Sequence, residues 1–435
     1  MRILFLFLFY YLCFLQNSYA VLTIEITGGR DLEGLPIAIV PFAGQQQSPQ
    51  AIAQIITNDL HRSGRFAPLP ESLLPEQPTQ MNQVNFASWQ ASNVPHLVMG
   101  RIKGGAVNGF TVEFELLDVY QQSRLLGLSY QATSKTLRQV AHQISDEIYR
   151  ALMGERGVFS TQIVYVTVQH RRGQNDIYEL HIADADGANP RTMLRSTEPI
   201  FSPTWSPNGQ SIAYVTYDNS ISARGYRQKQ MAIYVQDIRT GRRTQVITGP
   251  GINAAPAWSP DNSRLAITLS RDGNAEIYIL NLANRALTRL THNNAIDTEP
   301  EWSPDGQHLV FTSDRSGQPQ IYRVSASGGQ AQRLTFRGSY NARPRYSPDG
   351  RKLALLHNGG RGYQIAVFYL DTGQINVLTH TSLDESPSFA PNGSMIIYGT
   401  GDQLAAVSLD GRVRQRLAVE MGQEVREPAW SPFND

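Results

Sequence analysis

The chain is expected to form two domains of different class, α/β then all-β: a small N-terminal α/β domain followed by a six-bladed β-propeller closed by the C-terminal strand. Three observations predict this. A short aromatic-and-turn motif recurs as "TWSPNG" (204–209), "AWSPDN" (257–262), "EWSPDG" (301–306), "RYSPDG" (345–350) and "FAPNG" (389–393). A β-type run keeps step with it, placing Tyr178, Tyr234, Tyr278, Tyr322 and Ala366 at separations of 56, 44, 44 and 44 residues. The final copy, "AWSP" at 429–432, has no repeat after it, while the first repeat starts without the strand that should precede it. A period near 44 with several short strands per unit marks a propeller.

Taken from the start, residues 1–20 read as an export signal. Arg2 is followed by the apolar run "ILFLFLFYYLCFL" (3–15) and then by Ser18 and Ala20 in small-x-small positions, so cleavage is expected between Ala20 and Val21. The run is short of the roughly 20 residues that span a membrane. The only cysteine, Cys13, lies inside it, which leaves the exported chain without disulfides or thiolate metal sites. A formal net charge of +1 lacks the basic excess of a nucleic-acid binder.

Residues 21–155 lack the repeat and are expected to form the α/β domain. "LPIAIVPF" (35–42) is a buried strand, and 48–64 a helix with Ser48 as N-cap, Pro49 in its first turn and Gly64 past its end. The runs 96–102, 110–119 and 124–133 alternate as sheet strands. In 134–154, Leu137, Val140, Ile144, Ile148 and Leu152 mark one apolar helix face.

Residues 160–435 supply the blades. In the unit around 298–336, strand A ends at Trp302, Ser303-Pro304-Asp305-Gly306 makes a tight turn, and strands B (308–313), C (320–325) and D (331–336) follow. The last strand, "VREPAW" (425–430), is a strand A without a blade of its own. Docked beside 162–168 it completes blade one and removes the open edges. The aromatics at the turn recur in every blade, which favours packing between blades over ligand binding.

Motifs for catalysis are missing: no G-x-S-x-G elbow, no phosphate-binding glycine loop and no H-E-x-x-H pair. His292, His308 and His357 fall at different blade positions, and neither a metal nor a cofactor is expected. The segments 272–276 and 314–318 have a calcium-loop flavour but read more simply as hairpin turns. If strand A runs along the channel, the D–A and B–C loops share one face and the S-P-D-G turns the other. The D–A residues Asn253, Asp297, Thr298, Glu299, Asn341, Arg343, Asp384, Glu385, Arg426 and Glu427 then ring the channel mouth with mixed charge, as suits a protein partner. The B–C segment 218–230, with Arg224, Arg227 and Lys229, reads as a long loop on that face.

Signal segment, α/β domain and a propeller of W-S-P-[DN]-G blades together resemble the TolB family of the Tol–Pal envelope system. "LPIAIVPF" looks like the family's first strand, "NAAPAWSPD" (253–261) and "DTEPEWSPDG" (297–306) like its channel-side segments, and "LDESPSFAPNGSMIIYGT" (383–400) like its sixth blade. The turn motif alone is shared with propellers of prolyl-oligopeptidase type, but no hydrolase domain accompanies it here. The resemblance implies a periplasmic, non-enzymatic protein, monomeric on its own and open to other envelope partners. Its channel mouth would bind the lipoprotein Pal, with Thr298 and Glu299 among the contacts, and its N-terminal segment the inner-membrane protein TolA. That segment would be Val21, Leu22, Thr23, Ile24, Glu25, Ile26, Thr27, Gly28, Gly29, Arg30, Asp31 and Leu32, whose alternation suits strand addition to a partner's sheet. Ile252 stands where the family often has a histidine. The alternative is a propeller enzyme, a hydrolase or lactonase with a metal in its channel.

Overall fold

The computed structural model describes residues 23–26, 34–105, 107, 109–221, 227–417 and 423–433. The expected signal segment 1–20, the cleavage pair Ala20 and Val21, and Leu22 lie outside those residues, as do Thr27, Gly28, Gly29, Arg30, Asp31 and Leu32. Among the described residues no helix is long and apolar enough to cross a membrane.

The first strand, β1 (Thr23–Ile26), belongs to the propeller, as described below. The N-terminal domain proper is a five-stranded mixed sheet of β2 (Leu35–Ile39), β3 (Phe66–Pro68), β4 (His96–Gly105), β5 (Gly109–Asp118) and β6 (Ser123–Ala132), in the order β3-β2-β4-β5-β6. Helices α1 (Ile52–Arg62) and α3 (Leu137–Met153) cover one face, where Ile56, Leu60, Ile144 and Ile148 are fully buried against Ile37, Val98 and Phe114. A six-residue helix between them, α2 (Phe86–Ala91), seals the other face with Trp89. Helix α1 begins three residues later than Pro49 suggested. Ser48 caps no helix: its hydroxyl donates to the Gln50 carbonyl and accepts the Gln50 N–H, closing a local turn instead.

Six sheets follow, each with four strands in radial order A-B-C-D, and the sixth carries β1 as an added edge strand. Blade one is closed as expected: Glu424–Trp430 pairs with Gln162–Gln169, and the Gln162 N–H donates to Ser431 Oγ. The turn motif is architectural. In blade four, Ser303 Oγ accepts the His308 N–H at 3.0 Å and donates to Asp305, and Gly306 adopts φ +70°. The indole N–H of Trp205 reaches the Ala429 carbonyl of the preceding blade at 3.1 Å, and that of Trp258 the Thr204 carbonyl at 3.3 Å. These two indoles thus tie their blades to the previous ones, whereas that of Trp430 donates to Thr161 Oγ1 at 2.8 Å and that of Trp302 is buried without a hydrogen-bond partner among the described residues.

Two expectations change. Strand D of blade four is only Gln332–Arg333, because the Ile321 N–H that would continue the ladder goes to Thr335 Oγ1 at 2.9 Å. Much of the segment 218–230 is strand rather than loop, because strands B (Ser211–Ile221) and C (Arg227–Asp237) of blade two stay paired up to Ile221 and Arg227, while 222–226, with Arg224, lie outside the described residues. Lys229 in strand C pairs with Glu198 at 2.8 Å.

The N-terminal domain docks on the turn face, against blades one and six. Asp59 on α1 is 1% exposed, 3.1 Å from Arg62 and 2.6 Å from His142 Nδ1. Arg138 on α3 crosses to the blade-one turn, pairing with Asp184 at 3.0 Å and with Asp186. Gln415, in strand D of blade six, donates to the Arg62 carbonyl. At Gly64, φ +67°, a Cβ would stand 2.1 Å from Val413 Cγ2, so that contact admits only glycine. The other edge of the same blade-six strand, Val413–Leu417, carries β1 as an antiparallel fifth strand, with Thr23 opposite Arg416 and Ile26 opposite Val413.

Candidate functional site

Every strand A contains a residue followed by proline: Ser202, Ala255, Glu299, Arg343, Ser386 and Glu427. All six adopt φ between +48° and +55°, and each lies in the register shift that interrupts pairing with strand B. Proline disfavours the helical region for the residue before it, and a left-handed non-glycine residue costs about 1–3 kcal/mol. The bulge re-aims the side chain, as bulges beside functional sites do. These six residues line one cavity of about 220 Å³ along the propeller axis, with Glu301, Arg345 and the inner faces of Trp205 and Trp430.

Arg343 occupies the middle of that cavity. Its guanidinium lies 3.1 Å from Glu299 and 3.5 Å from Glu427, and donates to Ser386. Burial would lower its pKa, but Glu427, Glu299 and Glu385 overcome this and hold it above the usual arginine value. Deeper in, Arg345 and Glu301 stand 3.9 Å apart. Burial pushes the carboxyls of Glu301 and Glu385 up, offset only partly by Arg345 and Arg343 respectively. Three carboxylates of the cavity lining therefore share two guanidinium groups, and Glu385 stands beside them between Arg343 and Arg426.

The residues expected at the mouth divide in two. Asn253, Asp297, Asn341 and Asp384 are 4%, 0%, 0% and 2% exposed, because they pin the D–A loops. Asn341 donates to Gln320 Oε1 at 2.9 Å and to the Arg337 carbonyl at 2.8 Å, while Asn253 donates to the Gly249 carbonyl. Asp297 accepts from Arg315 at 2.6 Å, and Asp384 accepts from Thr379 and Thr381. The pins join a clamp that recurs at one-blade intervals. Thr291, Thr335 and Thr379 each accept a strand-C N–H at 2.9 Å, and Glu276, Gln320 and Gln364 begin those strands. Its trace in the sequence is the repeated "RLTH", "RLTF" and "VLTH". Thr298, Glu299, Arg343, Glu385 and Arg426 are partly exposed, and of these Glu299 and Arg343 line the channel cavity. Arg426 is held by Glu424 at 2.5 Å.

One set of residues went unnoticed in the sequence apart from Ile252. Immediately before the four pins stand Ile252, Ile296, Tyr340 and Leu383. Ile252, Ile296 and Leu383 are 43%, 52% and 69% exposed, and Tyr340 packs edge-on against Tyr363 at 5.1 Å. A large apolar residue ahead of a polar one, repeated on the loops of four successive blades, was the available signal.

Asp59, His142 and Asp186, at the opposite face, each offer a ligand atom within 4.8 Å of the others. Arg62 and Arg138 already engage those carboxylates, so the constellation reads as an ion-pair network.

Two family models match the chain: the TolB amino-terminal domain over residues 22–125 and the TolB beta propeller domain over 149–434. The chain is 54% identical to the Tol-Pal system protein TolB of Nitrosococcus oceani over 421 residues, 96% of this chain and 94% of that one. It is 53% identical to the protein of the same name from Alcanivorax borkumensis, at the same coverage. The crystal structure of TolB from Acinetobacter baumannii superimposes with a TM-score of 0.83 at 42% identity, covering 95% of this chain and 99% of the other.

Proposed function

This chain belongs to the TolB family, and from that premise we propose that it is a non-enzymatic periplasmic hub of the Tol–Pal system. In this reading the channel mouth binds the outer-membrane lipoprotein Pal and the N-terminal segment binds TolA, which supports envelope integrity and outer-membrane constriction at division. The observation that carries the first half is the ring of six bulged strand-A residues, among them side chains of both charges, around a channel cavity of about 220 Å³. Thr298, Glu299, Arg343, Glu385 and Arg426 are the proposed contacts. Asn253, Asp297, Asn341 and Asp384 hold the loops that present them.

Supporting the second half is the pairing of β1 with blade six. A strand that adds to a sheet edge uses its backbone N–H and C=O groups, and those of Thr23–Ile26 serve one edge at a time. Binding of TolA to 21–32 therefore competes with docking on Val413–Leu417.

Calorimetric titration of the chain from Val21 with the soluble domain of its own organism's Pal tests the first half. Saturable binding that Glu299→Arg abolishes, with an unchanged far-ultraviolet dichroism spectrum, is expected. Equal affinity in the variant would remove the channel mouth from the interface. The enzymatic alternative would gain ground from one tightly held divalent ion per purified chain.

A further inference from the structure

The apolar residues around the mouth are distributed unevenly. At the position preceding each strand-A pin, blades three to six carry Ile252, Ile296, Tyr340 and Leu383. Blades one and two carry Glu424 and Pro199 at the same place, and Glu424 is held by His170 and Arg426. Tyr363, 40% exposed, enters the row from the B–C loop of blade five. Its ring packs on Tyr340 and its backbone bridges to Leu383, which brings three residues of the row side by side. Phe336, 71% exposed, precedes Tyr340 on the D–A passage of blade five. A contiguous apolar surface rimmed by polar groups marks an interaction site, whereas scattered single exposures do not. The crescent stands at the D–A loop end of the strands that line the channel, where three carboxylates, Glu299, Glu301 and Glu427, face two guanidinium groups.

We propose that this crescent carries most of the affinity for the protein bound at the channel mouth, and that the partner's contact surface is an apolar collar around a cationic tip. The proposal rests on the mouth being the Pal-binding face. The collar seats on Ile252, Ile296, Tyr340, Tyr363, Leu383 and Phe336, while a lysine or arginine at the tip enters the channel. There it meets the carboxylates that Arg343 leaves unbalanced. A one-sided crescent also fixes the partner's rotation about the propeller axis, which a symmetric ring of charge would leave free. Large side chains packed at a desolvated interface dominate binding, and rim charges mainly set the encounter rate and the salt dependence.

The test is a set of calorimetric titrations with the soluble Pal domain at low salt and at about 0.5 M salt. The chain from Val21 is compared with Ile296→Ser/Leu383→Ser, with Glu385→Gln, and with Leu73→Ser. Leu73 is a control, 61% exposed on the N-terminal domain. The double variant is expected to bind about 30-fold or more weaker at both salt concentrations. Glu385→Gln should lose about three- to tenfold at low salt and show a shallower salt dependence. Leu73→Ser should match the unmodified chain. If that chain and the Glu299→Arg variant behave as in the preceding section while the double variant binds unimpaired, the crescent is overturned and the mouth stands. If Glu385→Gln binds tighter at low salt, the cationic tip is overturned. No binding by the unmodified chain would overturn the Pal reading and this proposal together.

Discussion

On the turn face, Asp59, Asp184 and Asp186 meet Arg62, Arg138 and His142, with Asp59, Arg62 and His142 all at least 97% buried. Inside the channel, Glu299, Glu301 and Glu427 share Arg343 and Arg345, and the cavity between them stays open. The first cluster is balanced once His142 is protonated, and it is sealed between two domains. The second is short of positive charge. Burying charge costs free energy that a good partner offsets. A cluster complete in itself serves a permanent contact, whereas one that lacks a counter-charge suits a surface that another protein completes.

The comparison breaks most sharply if one member of the sealed cluster is removed. Asp59→Ala leaves Arg62 and His142 buried without their carboxylate and should destabilise the protein by about 3–5 kcal/mol. Scanning calorimetry would read this as a lower midpoint for the transition that separates the domains. An unchanged midpoint would mean the cluster does not hold the interface.

Titration sharpens the contrast next. Burial would lower the pKa of His142, but the charge and hydrogen bond of Asp59 raise it above the ordinary histidine value. Its contribution is therefore fully present below that ordinary value and is lost as pH rises through the elevated native one. Asp59 runs the other way. Burial would raise it, yet His142 and Arg62 hold it below the usual aspartate value, so its contribution is lost as pH falls through its native pKa. Asp146 and Asp184 are pushed up by burial and favour folding at lower pH, in the same sense as His142. Stability against urea should thus decline on the alkaline side of neutrality, by about 1.4 kcal/mol per unit of histidine shift, and His142→Gln should flatten that limb.

A smaller effect is expected in the open cluster. Arg343→Met removes contacts to Glu299, Glu427 and Ser386, but its side chain is 28% exposed and the freed carboxylates can hydrate. About 1–2 kcal/mol should be lost in chemical unfolding. Leu383→Ser, at a side chain 69% exposed in the isolated chain, should change stability by less than about 0.5 kcal/mol. A larger loss would mean that the crescent supports the fold rather than a partner.

Legibility in the sequence followed periodicity. Pattern matching found the blades because Trp205, Trp258, Trp302 and the S-P-D-G turns repeat with the period, and it found the closure because a strand A stood alone at 425–430. The sheet and both long helices of the N-terminal domain were readable from alternation and from the 3.6-residue spacing of Leu137, Val140, Ile144 and Ile148. The site was less accessible. Asn253, Asp297, Asn341 and Asp384 look like surface residues in a polar loop, and only their three-dimensional partners reveal them as buried pins. The left-handed residue before each strand-A proline left no trace, since X-Pro ordinarily signals extended backbone. Attention to charge also hid Ile296 and Leu383, which are conspicuous only once neighbouring blades are laid side by side.

The strand that completes blade one joins residues 269 apart in the chain, at Gln162 and Ser431. Pairings of such long range are slow to form, because the intervening chain must be gathered before they reward it. Blades two to five, made of consecutive hairpins, can assemble as the chain emerges. Blade one has to wait, holding an open edge on Gln162–Gln169 until Glu424–Trp430 arrives. The ring therefore works as a completeness gate: a chain halted short of its final strand keeps an unpaired edge exposed to proteases and to other strands. Quality control can read that edge without inspecting anything else.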